Sequence, residues 1–335
     1  MRRIVCFIIL ILVAVTVTKG QFNIQNLDEW NRVKGDTTFI LLDDITSQMD
    51  TPYVNVFKQY WKVTPIKFIQ TDQLTKHLSK NATYLSFIVT NEIVQPVHNG
   101  IGMGSPIIRP GSSIMDFRLW TCKEKYFNKE RKWDWAYTNE IATMELFVSS
   151  LSAGSYTSQA SGTFQTFGGP KICGGGDYLT VDQGGYIYNW GPGILKNYVQ
   201  ILSELLTAGN ERKFTQEITD NAEIKRLKTD TLYIPKFVAY KIVKFGAVTT
   251  EKTDLSKLVS NYKLPYSIIT TQQLNDKILN KKGDIYYFMY MHSNRAKYIA
   301  VINGFTGEIV YSDYSKSTDD VTDGDFKDLR SNIIK

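Results

Sequence analysis

Cysteine and histidine are both scarce, with three of each in 335 residues. So few cysteines exclude a disulfide-dense scaffold, and so few histidines argue against a His-rich metal site. No Cys-x-x-Cys, His-Glu-x-x-His or His-x-x-x-His spacing occurs, so no metal motif is present. A phosphate-cradling G-x-x-x-x-G-K-[ST] loop is missing, as is the G-x-S-x-G elbow of serine hydrolases. No cofactor is implied. Beyond the first 20 residues no apolar run reaches the length of a membrane span.

What is present belongs to a folded chain: 43% hydrophobic and 21% charged residues. Length allows two ordinary domains or one large one. Met1 to Gly20 reads as an export signal. Arg2 and Arg3 precede an apolar run from Ile4 to Val17, and small and polar residues follow, with cleavage expected before Gln21. The run is too short for a comfortable bilayer span, and Cys6 lies inside it rather than after it, which disfavours lipidation. The formal net charge is +6. Losing Arg2, Arg3 and Lys19 leaves 36 basic against 33 acidic residues, a net of +3 spread along the chain. No concentrated basic face remains for nucleic acid. Cys122 and Cys173 would stay behind in an oxidising compartment, a candidate disulfide whose formation spacing alone does not decide.

The chain carries an internal repeat. Residues 65–74 (PIKFIQTDQL) and 265–274 (PYSIITTQQL) share Pro, Ile, Thr, Gln and Leu at an offset of 200. In each copy an amphipathic stretch precedes the proline, ending at Trp61 or Tyr262. After it come a short apolar strand, an expected N-cap at Thr71 or Thr271, a helix with Leu74 and Leu78 or Leu274 and Ile278 on one face, and an aromatic strand. Thr38 to Leu42 and Leu232 to Val243 read as the opening strands. In the second copy, Tyr298 to Asn303 and Glu308 to Tyr314 form a hairpin through the Gly304–Gly307 turn, and a helix near Phe326 to Ile334 ends the chain. The order β-α-β-α-β-β-β-α predicts an α/β fold: two tandem, related, three-layer-type units with mixed sheets. It resembles thioredoxin-like or Rossmann-like folds in general order. That resemblance implies no activity, and the thioredoxin family's Cys-x-x-Cys is absent.

Four segments follow: signal 1–20, first unit 21–151 with an inserted Gly/Pro-rich loop, Gly-rich and helical connection 152–230, and second unit 231–335. Within them, residues 141–151 suit a helix, as do 194–206, with Pro192 before and Gly209 after. Residues 210–230 read as a charged helical connector. The acids at 319–325 read as a solvated turn.

Site candidates are few. The glycines at 100, 102 and 104 miss the dinucleotide fingerprint, and prolines follow where a helix would have to start. Cys173 lies among glycines, but His77, His98 and His292 are each isolated, so no base is evident for a thiolate. Trp133, Trp135, Tyr186, Tyr188 and Trp190 concentrate in the middle of the chain and are the candidates for a binding groove, against packing of the core. The favoured reading is a secreted or periplasmic, non-enzymatic binding or scaffolding protein of the cell envelope, with a protein or envelope component as partner. Two alternatives remain at this point: an envelope hydrolase or transferase using Cys173, and a glycan-binding module using the central aromatics.

Overall fold

The computed structural model describes residues 22–41, 51–94, 107–127, 138–147, 166–167, 187–213, 215–241, 253–293, 296–316 and 320–335. The chain order is β1 (Phe22–Ile24), α1 (Leu27–Val33), β2 (Thr38–Leu41), α2 (Thr51–Tyr60), β3 (Ile66–Ile69), α3 (Leu74–His77), β4 (Thr83–Val94), β5 (Ile107–Cys122), α4 (Glu124–Phe127), β6 (Thr138–Leu146) and β7 (Thr166–Phe167). Then come α5 (Pro192–Ala208), β8 (Ile218–Thr219), β9 (Leu232–Pro235), α6 (Leu255–Leu258), β10 (Tyr266–Ile269), α7 (Thr271–Asn280), β11 (Tyr286–Ser293), β12 (Ala296–Asn303), β13 (Ile309–Ser315) and α8 (Asp323–Ile334).

The strands form two mixed sheets of the same plan. The first runs β1-β6-β5-β4-β2-β3, with β7 added on β4, and the second runs β8-β13-β12-β11-β9-β10. In each, the opening strand pairs in parallel with both neighbours, and the other pairings are antiparallel. Thr38 faces Ile66 and Thr83, just as Leu232 faces Tyr266 and Tyr286. A register irregularity falls at Leu119/Trp120 in one sheet and at the matching Val301/Ile302 in the other. Pro65 O accepts from Thr38 N at 2.8 Å, and Pro265 O accepts from Leu232 N at 3.0 Å. The expected repeat is therefore a repeat of hydrogen bonds, and the two units are two copies of one α/β plan.

Helix α5 joins them. Pro192 stands in its first turn, and Gly209 ends it at φ 66°, a left-handed position that glycine takes without steric cost. A surface helix buries one stripe, but α5 buries residues around most of its circumference, including Ile194, Leu195, Tyr198, Val199, Ile201, Leu202 and Leu205. It packs on α2 of the first unit and on α7 of the second. It closes the first unit as α8 closes the second. Trp30 Nε1 of α1 donates to Leu206 O at 3.0 Å, while α8 packs on the 3₁₀ turn Ile224–Lys228 and on α6.

Several local expectations shift. Residues 141–146 are strand β6, not helix, because they pair on both sides with β5 and β1, and sheet context overrides an ambiguous apolar pattern. The stretch 210–230 holds β8 and the 3₁₀ turn 224–228, so the second sheet begins inside the expected connector. The strand from Leu232 stops at Pro235 and passes into a 3₁₀ turn, Lys236–Ala239, since proline has no N–H for a ladder. The cap of α7 is Thr270, one residue earlier than expected, in a capping box with Gln273. Thr71 begins a 3₁₀ turn instead of capping a helix. Residues 107–113, expected in a loop, belong to β5. Asp325 is not a solvated turn residue: it accepts from Lys297 Nζ at 2.8 Å, and both side chains are largely buried.

Candidate functional site

The site with the most unusual chemistry lies on one face of the first sheet. Side chains alternate along a strand, so Tyr84, Ser86 and Ile88 share a face of β4, opposite Trp120, Arg118 and Asp116 on β5. Beyond Trp120, Arg118 and Asp116 on β6 lie Glu140, Thr143 and Glu145. Tyr84 stacks on Trp120 at 4.5 Å, and Trp120 Nε1 donates to Ser86 Oγ at 3.0 Å. This aromatic pair covers one end of the face and leaves the other to charge.

Asp116 is only 4% exposed. Arg118 Nη2 donates to its Oδ2 at 2.5 Å, and Arg118 Nε lies 3.2 Å from Glu140 Oε2. Glu140 also accepts from Gln25 Nε2 at 3.0 Å and from Asn23 Nδ2 at 3.5 Å, which ties β1 into the group. Thr143 is buried and its Oγ1 has no hydrogen-bond partner. Burial raises the Asp116 carboxyl to about 6 in spite of Arg118. Burial raises Glu145 to about 7, with the Asp116 charge adding to the effect. Burial thus favours the neutral form of both carboxyls on this face.

The second unit provides a built-in comparison. By register, Tyr298 stands where Asp116 stands, Ala300 where Arg118, Met289 where Ser86, Ile309 where Glu140, Ser312 where Thr143 and Tyr314 where Glu145. The matching face is mostly apolar, and on it Tyr287 OH donates to Asn197 Oδ1 of α5 at 3.1 Å. The charged face is a departure of the first copy from the shared plan.

The residues singled out from sequence are dispersed. Trp133, Trp135, Tyr186, Cys173 and His98 lie outside the described residues. Trp190 is 3% exposed and packs on Phe87, Phe117, Tyr53 and Tyr198, so its ring is taken up by the core. Tyr188 is partly buried against Phe147, Tyr240 and Phe237, and burial raises its hydroxyl to about 12. Cys122 is a buried free thiol, raised to about 12 by burial alone. His77 sits 5.4 Å from the Phe39 ring, as Lys277 sits 4.8 Å over the ring of the matching Tyr233. Among the described residues no group of three His, Cys, Asp or Glu is placed to hold a metal, and no helix is long and apolar enough to cross a membrane.

Sequence reasoning missed the charged face because its members are far apart, from Asn23 to Glu145, and only strand pairing assembles them. It also missed a second repeat signature that was readable. Residues 29–37 (EWNRVKGDT) and 223–231 (EIKRLKTDT) share Glu, Arg, Lys, Asp and Thr. Glu29 accepts from Arg32 at 2.7 Å and from Thr121, and Glu223 accepts from Tyr286 OH at 2.6 Å and pairs with Arg226 at 3.4 Å. Each glutamate fastens its helical turn to the sheet. Comparison with protein-family models, with curated proteins and with solved structures gave no match.

Proposed function

We propose that the protein is an exported, non-enzymatic binding or scaffolding component of the cell envelope, and that it engages a protein or envelope partner through the elaborated end of its first unit. The carrying observation is where the two copies differ. The hairpin β11–β12 ends at the pair Ser293 and Ala296. Its counterpart β4–β5 passes the matching pair, Thr90 and Ile114, and continues to Val94 and Ile107. Strand β7 pairs with β4 beside this extension, and among the described residues the second sheet has no counterpart of it. Between the sixth strand and the closing helix the first unit carries residues 147–191, and the second only 316–322.

A duplicated frame with additions on one copy is a rigid support for those additions, and binding residues concentrate on segments held out by such supports. The α5 seam supplies the rigidity: Lys196 Nζ donates to Ile278 O and Gly304 O, and Asn275 Oδ1 accepts from Ile194 N at 2.9 Å. Export rests on residues 1–20, and the intact mass of the mature protein tests it. A chain beginning at Gln21 supports export, and a retained Met1 opposes it. Trimming the hairpin back to Thr90 and Ile114 tests the binding role, which requires that the folded, trimmed protein lose its association with the envelope fraction.

A further inference from the structure

The turn that leads into β4 carries an acceptor signal. Asn81-Ala82-Thr83 is the only Asn-x-Ser/Thr triplet in the sequence, and its middle residue is not proline. Asn81 lies between α3 and β4, and Ser79, Lys80 and Asn81 are all exposed. We propose that Asn81 is an N-glycosylation site, its side-chain amide receiving an oligosaccharide from a polyprenyl-diphosphate donor. The proposal rests on the export reading, because this modification belongs to chains that enter a secretory compartment.

The fold leaves the reacting atom free. Asn81 Oδ1 lies 3.5 Å from Arg32 Nη1, and the Asn81 backbone N–H donates to Ser79 Oγ at 3.3 Å, but among the described residues nothing engages Nδ2. Transfer forms a bond from Nδ2 to the anomeric carbon of the sugar and breaks the bond of that carbon to the diphosphate oxygen. One Nδ2 proton leaves with the lipid diphosphate. The side-chain carbonyl is unchanged, so the contact with Arg32 survives. Thr83, which completes the signal, is buried in the folded chain, where its Oγ1 meets Thr38 Oγ1 at 2.5 Å. The sugar is therefore added before β4 pairs with β2.

The second unit shows what the same turn looks like without the signal. The matching position is Asp284, whose carboxylate meets Arg226 Nη1 at 2.6 Å and accepts from Asn303 Nδ2 at 2.9 Å. There the turn serves the clasp, whereas the first copy has a free amide. The placement also suits the proposed binding end. Strand β4 runs from Thr83 to Val94, about 35 Å at the usual rise, so the sugar and the extended hairpin stand at opposite ends of the first sheet. A bulky, solubilising group at Asn81 covers the end where Lys80 pairs with Glu124 and leaves the hairpin open.

The test is peptide mass mapping of the natural protein from its own cells, before and after a peptide-N-glycosidase. That enzyme hydrolyses the sugar-bearing amide and leaves aspartate at position 81. A residue-81 peptide that appears only after treatment, with aspartate at that position, supports the site. A mature chain that begins at Gln21 with Asn81 unmodified overturns the site and leaves export standing. A chain that keeps Met1 and carries no sugar overturns both, and one that keeps Met1 and carries the sugar supports the site while removing signal cleavage. Two variants of the full chain give the second reading. Asn81→Gln should lose the whole glycan mass, and Thr83→Ser, which retains the hydroxyl, should keep it. A glycan mass that persists in Asn81→Gln overturns the assignment.

Discussion

Arg32 and Arg226 make the same reach from matching positions in the two units. Each pairs with the glutamate three residues before it, and each extends to the turn that leads into the long central strand. Arg32 Nη1 donates to Lys80 O at 2.8 Å and lies 3.5 Å from Asn81 Oδ1, while Arg226 Nη1 meets Asp284 Oδ2 at 2.6 Å. Asn81 and Asp284 precede Thr83 and Tyr286, which hold one register position. The clasp is thus a duplicated device, and it serves the frame.

Both arginines are well exposed, so each clasp is worth less than about 1 kcal/mol. Arg32→Ala and Arg226→Ala should each lower the urea midpoint slightly, and the double variant should show the sum of the two, since the sites share no partners. Coupling beyond the error of a double-mutant cycle would contradict two independent clasps.

The seam around α5 should be far less tolerant. A Cβ on Gly193 would come within 2.6 Å of the Asn275 backbone, which has no room to move, whereas a Cβ on Gly35 would meet nothing within 4 Å. Gly193→Ala should destabilise by about 3 kcal/mol and Gly35→Ala by little. Thermal unfolding measures both, and similar melting temperatures for the two variants would remove the close α5–α7 approach from the account.

How much of this was readable in sequence follows from chain spacing. The Pro65 and Pro265 segments stand 200 residues apart, and the Glu29 and Glu223 segments 194. The second unit has six more residues between its opening strand and its next, so no single offset aligns both signatures. Helix α5 was legible because apolar spacing and end signals agreed in it. Strand β8 was not, since it has two residues and exists only through its pairing with β13. The charged face was illegible for a related reason: antiparallel register brings Asp116 and Glu145 together, and no local pattern encodes that register.

Glu29 should govern part of the acid limit. The Arg32 hydrogen bond is the largest influence on it, and with help from Thr121 and Asn139 it lowers the carboxyl from its ordinary 4.5 to about 2 against the cost of burial. A lowered carboxyl stabilises the fold above pH 4.5 and loses that effect as pH falls through 2. Glu29→Gln should therefore melt earlier than the natural protein at pH 7, and the gap should close between pH 4.5 and 2. A gap constant over that range would show that the charge is not what matters.

Cys122 should be inert while the protein is folded. Its thiol is buried and raised to about 12, so little thiolate exists at neutral pH. An alkylating reagent at pH 7 should leave Cys122 unmodified in the native protein and label it in denaturant. Peptide mass mapping reads the result, and rapid native labelling would contradict the buried placement.

The central claim is that the first unit's extended hairpin meets a partner while the shared frame holds it in place. The most direct measurement introduces a photo-reactive phenylalanine at Val94, at the far end of the extended pairing, and in a second sample at the exposed Phe305 in the turn of the second unit. After irradiation of intact cells, the account predicts one discrete adduct of defined mass from position 94 and none from position 305. Adducts from position 305 alone, or none from position 94 in a folded and exported protein, would contradict it.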